Sequence, residues 1–221
     1  STLDKGQTRQ LPDLCRKLLP TKEQSSKSIR TMIMGIPNVG KSTIINILAG
    51  KVLAKVGNEP AVTKRQQRIN LKNGIVLSDT PGILWPKFDN MNSGYRLAVT
   101  GAVRDTAMEY EDVAMYAAEY MLEAYPDLLI SRYKLKQLPE SDIKLLEQIG
   151  AKRGCLRSGG IVDLHKASTI FLNELRSGTL GRISVETPAM VEVEEAELEA
   201  KRIAEEEATA LAEAEAKKRQ R

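Results

Sequence analysis

The residues Gly35-Ile36-Pro37-Asn38-Val39-Gly40-Lys41-Ser42 place two glycines, a lysine and a hydroxyl at the spacing G-x-x-x-x-G-K-[ST]. That combination suits the gripping of phosphate. Glycines let the main chain wrap closely around an anion, so that successive N–H groups point inward. A helix opening at Lys41 adds the partial positive charge of its N-terminus. Lys41 is expected to reach the β- and γ-phosphates of a nucleoside triphosphate, and the Ser42 hydroxyl to ligate Mg²⁺.

Two further groups fit the same chemistry. Asp79-Thr80-Pro81-Gly82 follows 38 positions after Lys41, where Asp79 can reach the Mg²⁺ shell through water and the Gly82 N–H can sense the γ-phosphate. Between the two lies Gly57-Asn58-Glu59-Pro60-Ala61-Val62-Thr63, a stretch of switch-loop character whose Thr63 can close over Mg²⁺ and the γ-phosphate. Lys41, Thr63 and Gly82 are thus the expected catalytic residues, and Ser42, Thr63 and Asp79 the expected Mg²⁺ set. The three groups together point to a GTPase rather than a generic ATPase. The N-K-x-D motif that would read guanine is absent from the sequence, while Ser1-Thr2-Leu3 with Lys5-Gly6 resembles the base loop that normally follows it. Base loop before phosphate loop implies a circularly permuted order, with the missing motif upstream of Ser1. The chain opens on Ser1 rather than Met and is expected to be a fragment. The position that holds a water-orienting glutamine in Ras-like GTPases is Ile83, so slow intrinsic hydrolysis is expected.

These groups need elements to position them. Ile29 to Met34 is a short β-branched run that reads as a buried strand, and Lys41 to Leu48 reads as the helix after the loop. Ile69 to Leu71 and Ile75 to Leu77 flank Asn73-Gly74, a strong hairpin signal. Ahead of them, Leu11, Leu14, Leu18 and Leu19 recur at helical spacing. Beyond residue 95 the pattern is helical: Tyr95 to Tyr125, Asp142 to Gly150 and His165 to Leu175, with Pro126 and Pro139 as breaks. The expected fold is α/β: a circularly permuted, N-terminally truncated P-loop GTPase domain at 1–100, then a small all-α domain at 101–188. Residues 189–221 form a charged Ala/Glu-rich tail, helical or disordered, without the apolar stripe of a coiled coil.

Composition narrows the class. The 221 residues are 42% hydrophobic and 28% charged, values of a folded globular chain. Cys15 and Cys155 lack metal-ligand spacing, which argues against a zinc finger or a disulfide framework. No membrane-length apolar run or signal-peptide pattern occurs, and a reducing cytoplasm fits. The net charge of +4 hides a split, since residues 190–221 hold ten acidic and six basic side chains and the remainder 19 acidic and 27 basic. A basic folded part suits an anionic partner such as nucleic acid.

The segments 35–43, 79–88, 96–102 (Arg-Leu-Ala-Val-Thr-Gly-Ala) and 152–160 together resemble the ribosome biogenesis GTPase A family, also called YlqF or RbgA, over residues 1–188. The resemblance implies permuted GTPases that bind GTP and GDP and assist late assembly of the large ribosomal subunit, with no membrane or DNA partner. It implies that Asn38, Val39, Gly40, Lys41, Ser42 and Thr43 bind phosphate, Gly82 the γ-phosphate side, and Ser1 and Thr2 the guanine neighbourhood. It further implies K⁺ at Asn38, and rRNA as the target of Lys152, Arg153, Arg157, Lys166, Arg176 and Arg182. The family's guanine motif and its N-terminal catalytic histidine are not in this sequence. The alternative is a nucleotide-regulated RNA-binding scaffold in which hydrolysis plays little part.

Overall fold

A computed structural model describes residues 5–19, 28–53, 67–84, 90–103 and 108–219. The chain divides into two units, residues 1–86 with 100–109, and residues 87–99 with 110–221.

In the first unit, helices α1 (Lys5–Arg9) and α2 (Leu11–Leu18) precede strand β1 (Ile29–Ile33), helix α3 (Lys41–Ala49) and strands β2 (Gln67–Asn70) and β3 (Ile75–Asp79). The sheet order is β1-β3-β2, with β1 parallel to β3 and β2 antiparallel to it. A parallel pair needs a crossover, and α3 lies within the one that joins β1 to the β2–β3 hairpin. Ile29, Ile45, Ile69, Ile75 and Leu77 are buried together, so one face of the sheet and the inner stripe of α3 make the core. Cys15, Ile33, Leu48 and Leu71 pack against it from the margins.

The Asn73-Gly74 signal marks a hairpin, but the turn is wider than a two-residue connection. The left-handed residues are Lys72 (φ 60°) and Gly74 (φ 83°), and Lys72 N–H donates to Asn70 Oδ1 at 2.8 Å. Asn73 instead accepts from Ile75 N–H through Oδ1 at 3.3 Å.

The second unit is built of helices: α4 (Met91–Val99), α5 (Tyr110–Ala124), α6 (Pro126–Tyr133), α7 (Asp142–Lys152), α8 (Leu164–Arg176) and α9 (Pro188–Arg219). Its centre is the mutual packing of α5, α7 and α8. Ala114, Ala117 and Ala118 on α5 let Leu145, Leu146, Ile149, Phe171 and Leu172 close in, and all of these are buried. Ser141 and Asp163 cap α7 and α8, each accepting from the N–H three residues on. Pro126 opens α6 at its first turn, where its missing N–H costs nothing. The expected tail is helical from Pro188, and its early turns are bonded to α4: Glu194 accepts from both terminal nitrogens of Arg96, from Asn90 Nδ2 at 2.6 Å and from Asn92 Nδ2 at 3.0 Å. No helix among the described residues is long and apolar enough to cross a membrane.

Candidate nucleotide-binding site

The register of β1 on β3 builds the site. Ile33 stands beside Asp79, so the two parallel strands end at the same level of the sheet. Loops leaving the carboxyl ends of parallel strands converge there, which is where ligands bind in open α/β sheets. From β1 leaves the loop 34–40, and from β3 the loop 80–84. Thr80 Oγ1 donates to Ile33 O at 2.6 Å and ties the two exits together.

Along the first loop the main chain adopts conformations that favour glycine. Gly40 (φ 87°) sits left-handed at the start of α3, and Asn38 (φ 58°) does the same two residues earlier. Asparagine is one of the few side chains that tolerate that region. Ile44 N–H donates to Gly40 O at 3.0 Å, the first bond of the helix, which leaves the amides of residues 41–43 without an intrahelical acceptor. Those amides, the helix dipole and the Lys41 ammonium make a built anion site. Lys41 is buried, and its Nζ donates to Gly35 O at 3.1 Å and Ile36 O at 2.6 Å, which fixes the charge within the loop. Burial pulls its pKa below the ordinary lysine value, and the Asp79 carboxylate acts in the opposite direction.

Asp79 is 1% exposed, at the end of a strand whose core-facing partners are Ile75 and Leu77. The Ser42 hydroxyl and the Asp79 carboxylate are oxygen donors that could hold Mg²⁺, a cation that takes oxygen ligands. Among the described residues no cluster of three or more His, Cys, Asp or Glu could hold a metal alone.

Gly82 is required by space. A Cβ there would lie 2.5 Å from Pro37 Cα and 2.6 Å from Pro37 N, so the 80–84 loop rests on the backbone of the phosphate loop. Gly82→Ala is expected to push the two loops apart and lower affinity for a GTP analogue severalfold, read by fluorescence titration. An unchanged affinity would show that this close approach does not matter for binding.

Asn38, Val39, Gly40, Lys41, Ser42, Thr43, Asp79 and Gly82 thus lie around one end of the sheet. Ser1, Thr2 and Thr63 fall outside the described residues. Of the basic set, Lys152 donates to Lys134 O at 2.9 Å, and Arg153 pairs with Glu174 at 2.6 Å. Arg157 pairs with Asp163 at 3.1 Å, with Lys166 3.8 Å from the same carboxylate. The Arg157 hydrogen bond and the Lys166 N–H hold the Asp163 carboxyl well below the usual range, at about 2. All four basic side chains are exposed, whereas Arg176 is turned inward onto main-chain carbonyls of α4 and onto Tyr110. Arg176 therefore does not belong to an exposed basic face. Sequence reading missed Glu174, which draws Arg132 and Arg153 together, and Lys134, which stands beside Lys152. Nothing in the spacing of these residues signals that grouping.

A strand, a glycine-containing loop and a helix, beside an acid-ended parallel strand, define a P-loop nucleotide-binding domain. A family model described as 50S ribosome-binding GTPase matches residues 30–138. The proteins named Ribosome biogenesis GTPase A of Priestia megaterium and Bacillus cereus are 48% identical over 166 residues and 50% identical over 162 residues. The matches cover 75% and 73% of this chain, but the chain spans only 58% and 55% of those relatives' lengths. The GDP-bound structure of TM YlqF superposes with a TM-score of 0.51 at 30% identity, over 79% of this chain and 67% of that one. The chain belongs to the ribosome biogenesis GTPase A family.

Proposed function

We propose that this chain is the phosphate-binding part, with its adjoining helical domain, of a circularly permuted GTPase that acts as an assembly factor for the large ribosomal subunit. The observation that carries the reading is the register of β1 on β3, which ends both strands at one level, so that the loop leading to Lys41 and Ser42 and the loop carrying Gly82 leave the sheet at the edge where Asp79 stands. The printed names of the relatives and the family description support the ribosomal setting. The permuted order is supported by the base-loop-like Ser1-Thr2-Leu3 ahead of the phosphate loop. Residues 1–100, 101–188 and 189–221 are the proposed GTPase domain, helical domain and tail.

In this reading Mg²⁺ supplies neutralisation of developing phosphate charge when bound, and Ser42, Asp79 and Thr63 would hold it. Lys41 and the amides of 41–43 orient the triphosphate and stabilise charge on it. K⁺ at Asn38 and a cytoplasmic location rest on the resemblance. Lys152, Arg153, Arg157 and Lys166 are the proposed rRNA contacts. Arg153, Arg157 and Lys166 are engaged with Glu174 and Asp163, so phosphate has to compete with those carboxylates, and binding through such contacts weakens as salt rises.

The scaffold reading has one observation in its favour. Ile83, which follows Gly82, is 71% exposed and carries no group able to orient water. Two measurements decide between the readings and test the proposal itself. GTP is expected to displace a fluorescent GDP analogue from the protein far better than ATP, with turnover low in Na⁺ and raised by K⁺ and by large subunits. Charge reversal at Lys152 and Arg153 is expected to weaken subunit association about tenfold at low salt. Preference for ATP would overturn the GTPase assignment, and unaltered association would remove the rRNA role of that face.

A further inference from the structure

Arg132 is a cation to which neither the phosphate loop nor the set of Lys152, Arg153, Arg157 and Lys166 gives a task. It lies in the last turn of α6, inside the helical unit, and meets the end of α7 across a single carboxylate. Glu174 on α8 accepts from Arg132 Nε through Oε2 at 2.9 Å and from Arg132 Nη2 through Oε1 at 2.7 Å. Arg153, the C-cap of α7, donates from Nη2 to that same Oε1 at 2.6 Å. One oxygen thus holds the tips of two guanidiniums side by side. Two cations alone would draw apart, so the carboxylate is what keeps them together.

Charge, exposure and unused donors define what the pair can bind. One carboxylate faces two guanidiniums, which leaves a positive charge over. The Arg132 and Arg153 side chains are 34% and 35% exposed, whereas Glu174 is 14% exposed. Arg132 gives two of its nitrogens to the carboxylate and Arg153 one; among the described residues their other N–H groups bond to no protein group. Arg153 also lies 5.9 Å from the centre of the Tyr133 ring, a contact that restrains its plane. Guanidinium forks of this kind bind phosphate oxygens bidentately. Lys152, Arg157 and Lys166, exposed on the same unit, favour a polyanion with repeated phosphates over an isolated acidic side chain.

The Arg132 hydrogen bond holds the Glu174 carboxyl below the ordinary glutamate value, so it stays charged at neutral pH and only a rival anion displaces it. The Tyr133 hydroxyl is buried and has no hydrogen-bond partner among the described residues. Burial, joined by the Glu174 charge, pushes its pKa up, so it remains an O–H donor. A carboxylate that gives up the guanidiniums has that hydroxyl to donate to it. We propose that Arg132 and Arg153 form a clamp for an RNA backbone phosphate, and that Glu174 is its resting occupant, displaced when RNA binds. The proposal rests on the reading of the helical unit as the rRNA-binding part. It adds Arg132 to that surface and gives Glu174 a regulatory task, since an isolated phosphate has to outcompete a tethered carboxylate while a run of phosphates binds the neighbouring cations as well.

The test uses the full chain and a fluorescein-labelled RNA hairpin, with affinity read by anisotropy over a range of salt. Glu174→Gln is expected to bind about fourfold tighter, the scale of one charge removed a few ångströms from a phosphate at a protein surface. Its plot of log affinity against log salt is expected to be steeper by about one, since the freed guanidinium releases a further counterion. Arg132→Met is expected to bind about fivefold weaker. In the Arg132→Met/Arg153→Met background, Glu174→Gln should alter affinity no more than Glu140→Gln, at an exposed acid paired with Lys144, alters it in the unchanged chain. Equal or weaker binding by Glu174→Gln that circular dichroism shows to be folded, or unchanged binding by Arg132→Met, would overturn the proposal. Should Arg132→Met fail to fold, Arg132→Lys keeps the charge without the fork and is expected to weaken binding in the same direction. A labelled polyglutamate peptide bound more tightly than the hairpin would overturn the choice of RNA. Failure of the underlying reading shows differently. A hairpin bound by neither wild type nor any variant sinks both, whereas loss of binding in Lys152→Glu/Arg153→Glu with wild-type affinity in Glu174→Gln and Arg132→Met removes the clamp alone.

Discussion

Glu194→Ala is expected to destabilise the helical unit by about 3 kcal/mol, a cost typical of breaking a buried ion pair from one side. The Arg96 side chain is 4% exposed and Glu194 16%, so removing the carboxylate strands a guanidinium that water cannot reach. Asn90 and Asn92 lose their acceptor in the same step. Glu186, 3.6 Å from Arg96 and more than half exposed, is too well solvated to replace it. Removing both partners tells a different story. Arg96→Met with Glu194→Leu should recover most of the loss, because a buried pair gains little over apolar residues of similar volume.

Acid gives an independent check. The Arg96 hydrogen bonds hold the Glu194 carboxyl below the ordinary glutamate value, so its contribution is fully present above that value. It fades as pH falls below the ordinary carboxylate range. The stability gap between wild type and Glu194→Ala should therefore be wide at neutral pH and narrow in acid. Urea unfolding followed by circular dichroism at several pH values measures both. A gap under 1 kcal/mol at neutral pH would mean that α9 does not depend on this contact.

Lys41→Ala is expected to weaken GTP-analogue binding on the order of 10²-fold, from loss of charge-assisted bonds worth about 1.5–3 kcal/mol. The loop itself also loses a restraint, since Gly35 O and Ile36 O share that ammonium. Lys41→Arg should not rescue fully, because a planar fork cannot reproduce a compact point charge held between two carbonyls. Fluorescence titration gives the affinity, and large-subunit association of the same variant separates the two functional readings. Association that no longer responds to nucleotide supports the GTPase. Assembly support that survives loss of nucleotide binding supports the scaffold.

Local pattern was enough wherever a residue's role depends on its immediate neighbours. Gly40, Lys41 and Ser42 announce a strand–loop–helix unit because only that geometry uses their types at that spacing. Ile75 and Leu77 announce an antiparallel partner through Asn73-Gly74, although the turn places its left-handed residues at Lys72 and Gly74. Pro126 reads as a break but starts α6, because the same missing N–H that ends one helix suits the first turn of the next. Long-range pairing was not legible. Glu194 looks like one more acid in an Ala/Glu-rich run, and nothing local marks it as the partner of a residue 98 positions earlier. Arg176 looks like one more exposed cation, yet its acceptors are carbonyls, which sequence composition does not display. The spatial demand on Gly82 was hidden for the same reason: its neighbour is the backbone of Pro37.

The alignment of Ile33 with Asp79 has a kinetic corollary. A slip of β3 by two residues would preserve its inward and outward faces yet carry the carboxylate roughly 6–7 Å from its place beside Ile33. Apolar burial alone tolerates that error better than ligation does. On the proposed reading, nucleotide bound with Mg²⁺ would favour the register that sets Ile33 beside Asp79 over a slipped one. Refolding in its presence should yield a larger competent fraction than refolding without it, by mass action on that one topology.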